Sequence, residues 1–302
     1  MKDKSIVTRR DFMKAAATTA LLAAAGLPAL AGQAVAGSEK AQERQGKARV
    51  VLVRNARAVR DDGTLDSRIL GEMLDEAVTR LFQAPNAAGA WKKVVTPSDR
   101  VGIKSNVWKY LPTPPELVEI IKSRVESAGV DEKNVHADDR GARETLAAST
   151  ALINVRPLRS HHWAGIGGCI KNYIMFVDNP SSYHDNSCAS LGAIWNLPVV
   201  KGKTRLNILV LLTPQFYGRG PHHFDPRYVW PYKGIMVSTD PVALDALGAQ
   251  LLLKKRVASF GENRPVTPVN HIQAADREYG IGVSDLKRID LIKLGWSDEA
   301  LL

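Results

Sequence analysis

Residues 206–212 read Leu-Asn-Ile-Leu-Val-Leu-Leu, an apolar run on both alternating sets of side chains. A strand of this kind must be covered on both faces, so it predicts the middle of a layered sheet. Shorter runs at 50–53, 100–104, 134–137, 151–155, 234–237 and 288–294 read as further strands. Helical periodicity falls between them. In 67–82, Ile69, Leu70, Met73, Leu74, Ala77, Val78, Leu81 and Phe82 recur on one face. Thr113-Pro114-Pro115-Glu116 predicts a capped helix start with Thr113 as the cap, ending at Gly129. Ser238-Thr239-Asp240-Pro241 opens another helix to about residue 255, and 269–279 reads as a last one. Strands alternating with helices predict an α/β fold: a mainly parallel sheet with helices on both faces. Long polar and aromatic loops, 156–190 and 213–233, belong at one sheet edge, where ligands of such sheets bind.

The N-terminus carries a separate message. Thr8-Arg9-Arg10-Asp11-Phe12-Met13-Lys14 is similar to the twin-arginine export motif. An uncharged, alanine-rich segment follows, with small-x-small sites at Ala29-Leu30-Ala31 and Ala34-Val35-Ala36. The expected organisation is a signal peptide at 1–36, a flexible lead-in at 37–48, and a single α/β domain at 49–302. The expected location is the periplasm. The twin-arginine route carries folded cargo, often with a cofactor or a cofactor-bearing partner. A periplasmic redox protein is therefore one expected partner.

The chain of 302 residues has a net charge of +10. Five basic and two acidic residues lie in the leader, leaving +7 on the remainder. Such an excess suits an anionic ligand, a membrane surface or an acidic partner. No nucleic-acid motif accompanies it, and no second run approaches the length of a membrane span. The two cysteines, Cys169 and Cys188, permit one disulfide. They are too few to hold an iron–sulfur cluster within this chain.

Six ordered segments resemble the domain of unknown function 362 family. They are Ile103-Lys104-Ser105-Asn106, Thr113-Pro114-Pro115-Glu116-Leu117-Val118 and Ala137-Asp138-Asp139-Arg140-Gly141. They continue with Ile153 to His161 (Ile-Asn-Val-Arg-Pro-Leu-Arg-Ser-His), Ile170-Lys171-Asn172 and Ser238-Thr239-Asp240-Pro241-Val242-Ala243-Leu244-Asp245. The family's lysine-proline-asparagine stands here as Lys104-Ser105-Asn106. Its Pro-Lys-Leu-Lys-Thr-His stands as Arg156-Pro157-Leu158-Arg159-Ser160-His161. Some members carry a ferredoxin-like cluster domain, which this chain lacks. The resemblance implies a shared fold and site and no particular reaction.

The family-matching polar residues fall at predicted strand ends or helix starts, which would gather them in one crevice. Lys104, His161, Lys171 and Asp240 are the candidates for catalysis. Asn106, Arg156, Arg159 and Asn172 are the candidates for ligand binding. Asp138 and Asp139 could hold a divalent metal or shape a turn before Gly141. Asp240 is equally a helix N-cap, and Asp245 either complements the helix dipole or holds Lys104 or Lys171. Gly165-Ile166-Gly167-Gly168 ahead of Cys169 suggests backbone N–H groups turned toward an anion, or a tight turn before a packed helix. His161, His162, His184, His222 and His223 add imidazoles without a known zinc spacing. The leading expectation is a crevice for a small anionic ligand. The alternatives are an accessory to a periplasmic electron-transfer complex and a non-enzymatic binder of a surface polymer.

Overall fold

The computed structural model describes residues 47–218 and 224–302. The leader, the lead-in up to residue 46, and His222 and His223 lie outside the described residues. The strands are β1 (Ala48–Arg54), β2 (Val101–Lys104), β3 (Val135–Asp138), β4 (Ala151–His161), β5 (Gly165–Gly167), β6 (Thr204–Gln215), β7 (Gly234–Ser238) and β8 (Ile289–Gly295). The helices that matter below are α1 (Ser67–Phe82), α2 (Ala87–Val94), α3 (Pro115–Ser127), α4 (Cys169–Asn172), α5 (Pro241–Phe260) and α6 (Asn270–Arg277).

The strands form one sheet in the order β3-β2-β4-β6-β7-β1-β8, with the short β5 on the far half of β4. All run parallel except β5 and β7. Strand β7 is antiparallel to both of its neighbours, β6 and β1. The α/β, mainly parallel fold expected from the sequence is what forms. No described helix is long and apolar enough to cross a membrane.

Alternation along the strands makes two cores. Ile153, Val155, Ile208 and Val210 point toward α1, α2 and α3, where Leu74, Trp91 and Ile121 meet them. Leu152, Leu158, Leu209 and Met236 point toward α4, α5 and α6, where Ile170, Leu244, Leu251 and Ile272 meet them. Polar residues on that second face, Lys104, Asn154 and Arg156, are consequently inside the protein rather than at its rim.

Local signals held unevenly. Asp66 caps α1 through Ile69 N, and α1 begins and ends where the periodicity places it. Helix α2 occupies a stretch where Pro85, Asn86 and Gly89 suggest a loop; Asn86 starts it by accepting the Gly89 N–H. Thr113 is not the cap of α3. Its hydroxyl accepts the Asn106 N–H and donates to Val155 O, so it ties the loop after β2 to β4 instead. The largest difference is β4, which does not stop at Val155 but runs on through Arg156, Pro157 and Arg159 to His161. Pro157 is tolerated because pairing there is irregular, with a register shift between Pro157 and Arg159.

Candidate functional site

The site is a buried layer of charged and amide side chains between the sheet and α4. Lys104 lies at the end of β2 and is fully buried. Its Nζ donates to Asp139 Oδ1 at 2.5 Å and to Ser105 O at 2.8 Å. The second oxygen of Asp139 accepts the N–H of Val107. Asp139 therefore fixes both the lysine and the loop that follows it. Burial pulls Lys104 down to about 8 against the opposing pull of Asp139.

Arg156, Arg159 and His161 project from the second half of β4, all buried. Arg156 Nε has no hydrogen-bond partner. The Arg159 guanidinium lies 4.0 Å from the centre of the Trp108 ring and donates weakly to Ser160 O at 3.4 Å. Burial lowers both guanidinium values, and Arg159 is lowered further by Arg156. His161 is held well below its ordinary value, first by burial and then by Arg159, Lys171 and Arg156. Its Nδ1 accepts the Trp163 N–H at 3.2 Å, which assigns the ring proton to Nε2.

Lys171 comes from α4 and is 3% exposed. Among the described residues its Nζ has one hydrogen-bond partner, the Cys188 thiol at 3.7 Å. Burial, with Arg156 and Arg159 nearby, lowers it to about 8. Three consecutive residues with left-handed backbone, Asn186, Ser187 and Cys188, carry that thiol to the amine. Such conformations are costly for residues with a Cβ and persist only when the surroundings impose them. His271 on α6 is fully buried with neither ring nitrogen bonded. It is pushed down to about 3 by burial and then by Lys171 and Arg156.

Asn172 knits the layer together. Its Nδ2 donates to Lys104 O and to Asn154 Oδ1. Asn154 Nδ2 donates to Cys169 O and to Asn207 Oδ1, and Asn207 Nδ2 reaches Ser238 O and Thr239 O. This amide chain crosses β4, β6 and β7. The Oδ1 of Asn172 is buried without a partner.

Lys104, Asp139, Arg156, Arg159, His161, Lys171 and Asn172 thus share one layer. Others among the expected residues do not join it. Asp240 caps α5, accepting Val242 N and Ala243 N through one oxygen and Val283 N through the other. Because β7 runs against its neighbours, its chain leaves the sheet at the end opposite Arg159 and His161. Asn106 contributes its main chain to loop closure, and its amide makes no hydrogen bond among the described residues. Asp138 accepts from Asp139 N, Gly141 N and the Thr145 hydroxyl, which is turn chemistry.

Among the described residues no group of three or more His, Cys, Asp or Glu side chains is placed to hold a metal ion. The Asp139 carboxylate is already taken up by an ammonium and an N–H. Cys169 and Cys188 are both free thiols and form no disulfide. The Cys188 sulfur faces Lys171, and Cys169 opens α4. The glycine-rich entry to α4 also differs from expectation. Its N–H groups do face an anion, but that anion is Asp245, which accepts Cys169 N at 2.6 Å and Ile170 N at 2.9 Å. Burial raises Asp245 to about 7 despite these bonds and Arg156.

Asn154, Asn207 and His271 are not among the site residues the sequence points to. Asn154 and Asn207 left a signal, a lone amide inside each of two apolar strands. His271 left none, since its helix lies far along the chain.

The charge balance is the main electrostatic fact. Lys104 has Asp139. Asp245 faces the start of α4. Among the described residues no carboxylate lies within ion-pair distance of Arg156, Arg159 or Lys171. Burying an unpaired ion costs several kcal/mol. A fully buried Leu or Ile contributes about 1.5–3 kcal/mol. Each unpaired cation therefore offsets a few core side chains, so this layer is not what stabilises the fold.

Fold and site together define a mainly parallel α/β protein with a buried cationic layer on one face of its sheet. Residues 101–250 match the family described as Domain of unknown function (DUF362), and through this segment the chain belongs to that family. The matched segment includes every member of the layer except His271. Comparison with curated proteins and with solved structures gave no match.

Proposed function

We propose that this is an exported periplasmic protein that binds a small anionic ligand through Arg156, Arg159 and Lys171. His161 Nε2–H and the free acceptor Asn172 Oδ1 would add neutral hydrogen bonds. The observation that carries the reading is the burial of three cationic side chains with no carboxylate within ion-pair distance among the described residues. A bound anion would recover the desolvation cost those ions incur, and guanidinium groups suit carboxylate or phosphate. The aromatic residues around the layer fit the same reading. Trp108 stacks on Arg159, while Tyr110 and Trp163, 40% and 43% exposed, stand in the two loops that flank it. The location rests on the Arg9-Arg10 motif of the leader.

Isothermal titration of the purified protein with inorganic phosphate and with lactate tests the reading. One of the two should bind saturably, and Arg159→Ala should weaken it by about tenfold or more, equivalent to roughly 1.4 kcal/mol. Circular dichroism confirms that the variant is folded. Absence of binding, or equal binding by the folded variant, overturns the site. The same leader motivates a second reading, partnership with a periplasmic redox protein. Affinity purification of the mature chain from periplasm should then recover a haem or iron–sulfur protein; recovery of the chain alone rejects that reading.

A further inference from the structure

Two lysines enter the layer, and they are not equivalent. Lys104 is clamped by a carboxylate and a carbonyl, both of which hold its proton. Lys171 has a thiol at 3.7 Å and no carboxylate among the described residues, and its charged neighbours Arg156 and Arg159 repel a proton. His161, His184 and His271 also lie near it, all shifted toward the neutral form, and Cys188 is shifted toward the thiol. Lys171 is thus a buried ammonium with no carboxylate to hold its proton, set beside two guanidinium groups that no carboxylate touches within ion-pair distance among the described residues. A buried lysine next to other cations is the arrangement that turns an ammonium into a nucleophile.

We infer that Lys171 forms an imine with a 2-oxo acid whose carboxylate is held by Arg156 and Arg159. The inference rests on the anion-binding reading above and names its substrate class. A 2-oxo acid presents an anion and an electrophilic carbon one bond apart. This matches an amine flanked by guanidinium groups in the same layer. A plain phosphate or hydroxy acid would engage the cations but leave the amine without a reaction.

The Lys171 Nζ lone pair attacks the carbonyl carbon, and the carbonyl π electrons pass to its oxygen. One amine proton moves to that oxygen, giving a carbinolamine. The carbon–oxygen bond then breaks, and the oxygen leaves as water with the second amine proton. A carbon–nitrogen double bond remains. No oxidant or reductant is needed. Protonated from solvent, the imine withdraws electrons from the adjacent carbon, so the third carbon of the acid loses a proton more readily than in the free acid.

The test is reductive trapping on the full mature protein with pyruvate and sodium cyanoborohydride, followed by peptide mapping by mass spectrometry. The expected result is one reduced adduct on the peptide containing Lys171, suppressed by excess lactate. Lactate, which lacks the carbonyl, should yield no adduct. Lys171→Arg keeps the charge and much of the bulk but cannot form the imine, and its labelling should fall to the background of surface lysines. If that variant fails to fold, protection of Lys171 by lactate in the wild-type protein decides the matter instead. Lactate or phosphate binding without any Lys171 adduct overturns this inference and leaves the anion site standing. Failure of phosphate, lactate and pyruvate alike to bind overturns both. An adduct on Lys104 in place of Lys171 also overturns the assignment.

Discussion

Gly168 and Asp245 occupy one space: a Cβ on residue 168 would collide with the Asp245 carboxylate. The absence of a side chain is what lets that carboxylate reach the N–H groups of Cys169 and Ile170. Gly168→Ala should therefore push the carboxylate away and leave two buried donors unpaired, costing about 2–4 kcal/mol. Asp245→Asn keeps an acceptor oxygen and should cost less. Urea unfolding of both variants, compared by midpoint at constant slope, checks the order. Equal stability of Gly168→Ala and the wild type would show that this fit is unimportant.

Asp139 is the counter-charge to Lys104. Removing it by Asp139→Ala leaves a buried ammonium facing only Ser105 O, and about 3–5 kcal/mol should be lost. The double variant Asp139→Ala, Lys104→Met should recover a good part of that loss, because it removes the orphaned charge. Denaturation of the four proteins in the cycle measures the coupling. A recovery indistinguishable from zero would mean that the two residues act independently.

Proton linkage gives stability and ligand affinity opposite trends in alkaline solution. Lys104 and Lys171 sit at about 8 in the folded protein, below their ordinary 10.5. Between those values the unfolded chain binds more protons than the folded one, so their contribution to stability rises with pH. Anion affinity should fall across the lower part of the same window, as the ammonium groups become amines. For Asp245, raised to about 7, the stability contribution is fully present below the ordinary 3.8 and is lost as pH rises through 7. Titrations with lactate, whose charge does not change in this range, at pH 7 and pH 9 in buffers of equal ionic strength should show the weakening. Unchanged affinity would argue that neither lysine meets the ligand.

Cys169 and Cys188 are buried thiols that burial holds in the protonated form. The native protein should react negligibly with a thiol reagent over minutes, and both cysteines should react once it is unfolded without reductant. Two unreactive cysteines after unfolding would indicate a disulfide and contradict the placement of Cys188 against Lys171.

Some of this was legible in the residues alone, for physical reasons. Segments whose apolar period and end signals agree, such as α1 with Asp66 before it, were readable nearly to the residue. Segments where those signals conflict were not. Arg156, Pro157 and Arg159 look like a loop because charge and proline normally leave a sheet. They remain in β4 because β6 pairs along one side and β5 along the other, so the charges are buried by tertiary packing. The grouping of Lys104, Arg156, Arg159 and Lys171 followed from strand order and short connections. The separation of Asp240 did not, because nothing in residues 234–238 announces that β7 runs backwards. The left-handed turn at 186–188 had only Asn186 to suggest it.

The amide chain from Asn172 through Asn154 and Asn207 to the end of β7 has a consequence for how the protein matures. Side chains alternate along a strand, so sliding β6 by one residue would send Asn207 to the wrong layer while still burying leucines. A collapsed chain with that error would be nearly as greasy inside and wholly incompetent. On the proposed reading, anion binding would report correct assembly: only a molecule whose central strands have found their alignment, with α4 seated on them, would bring Arg156, Arg159 and Lys171 together.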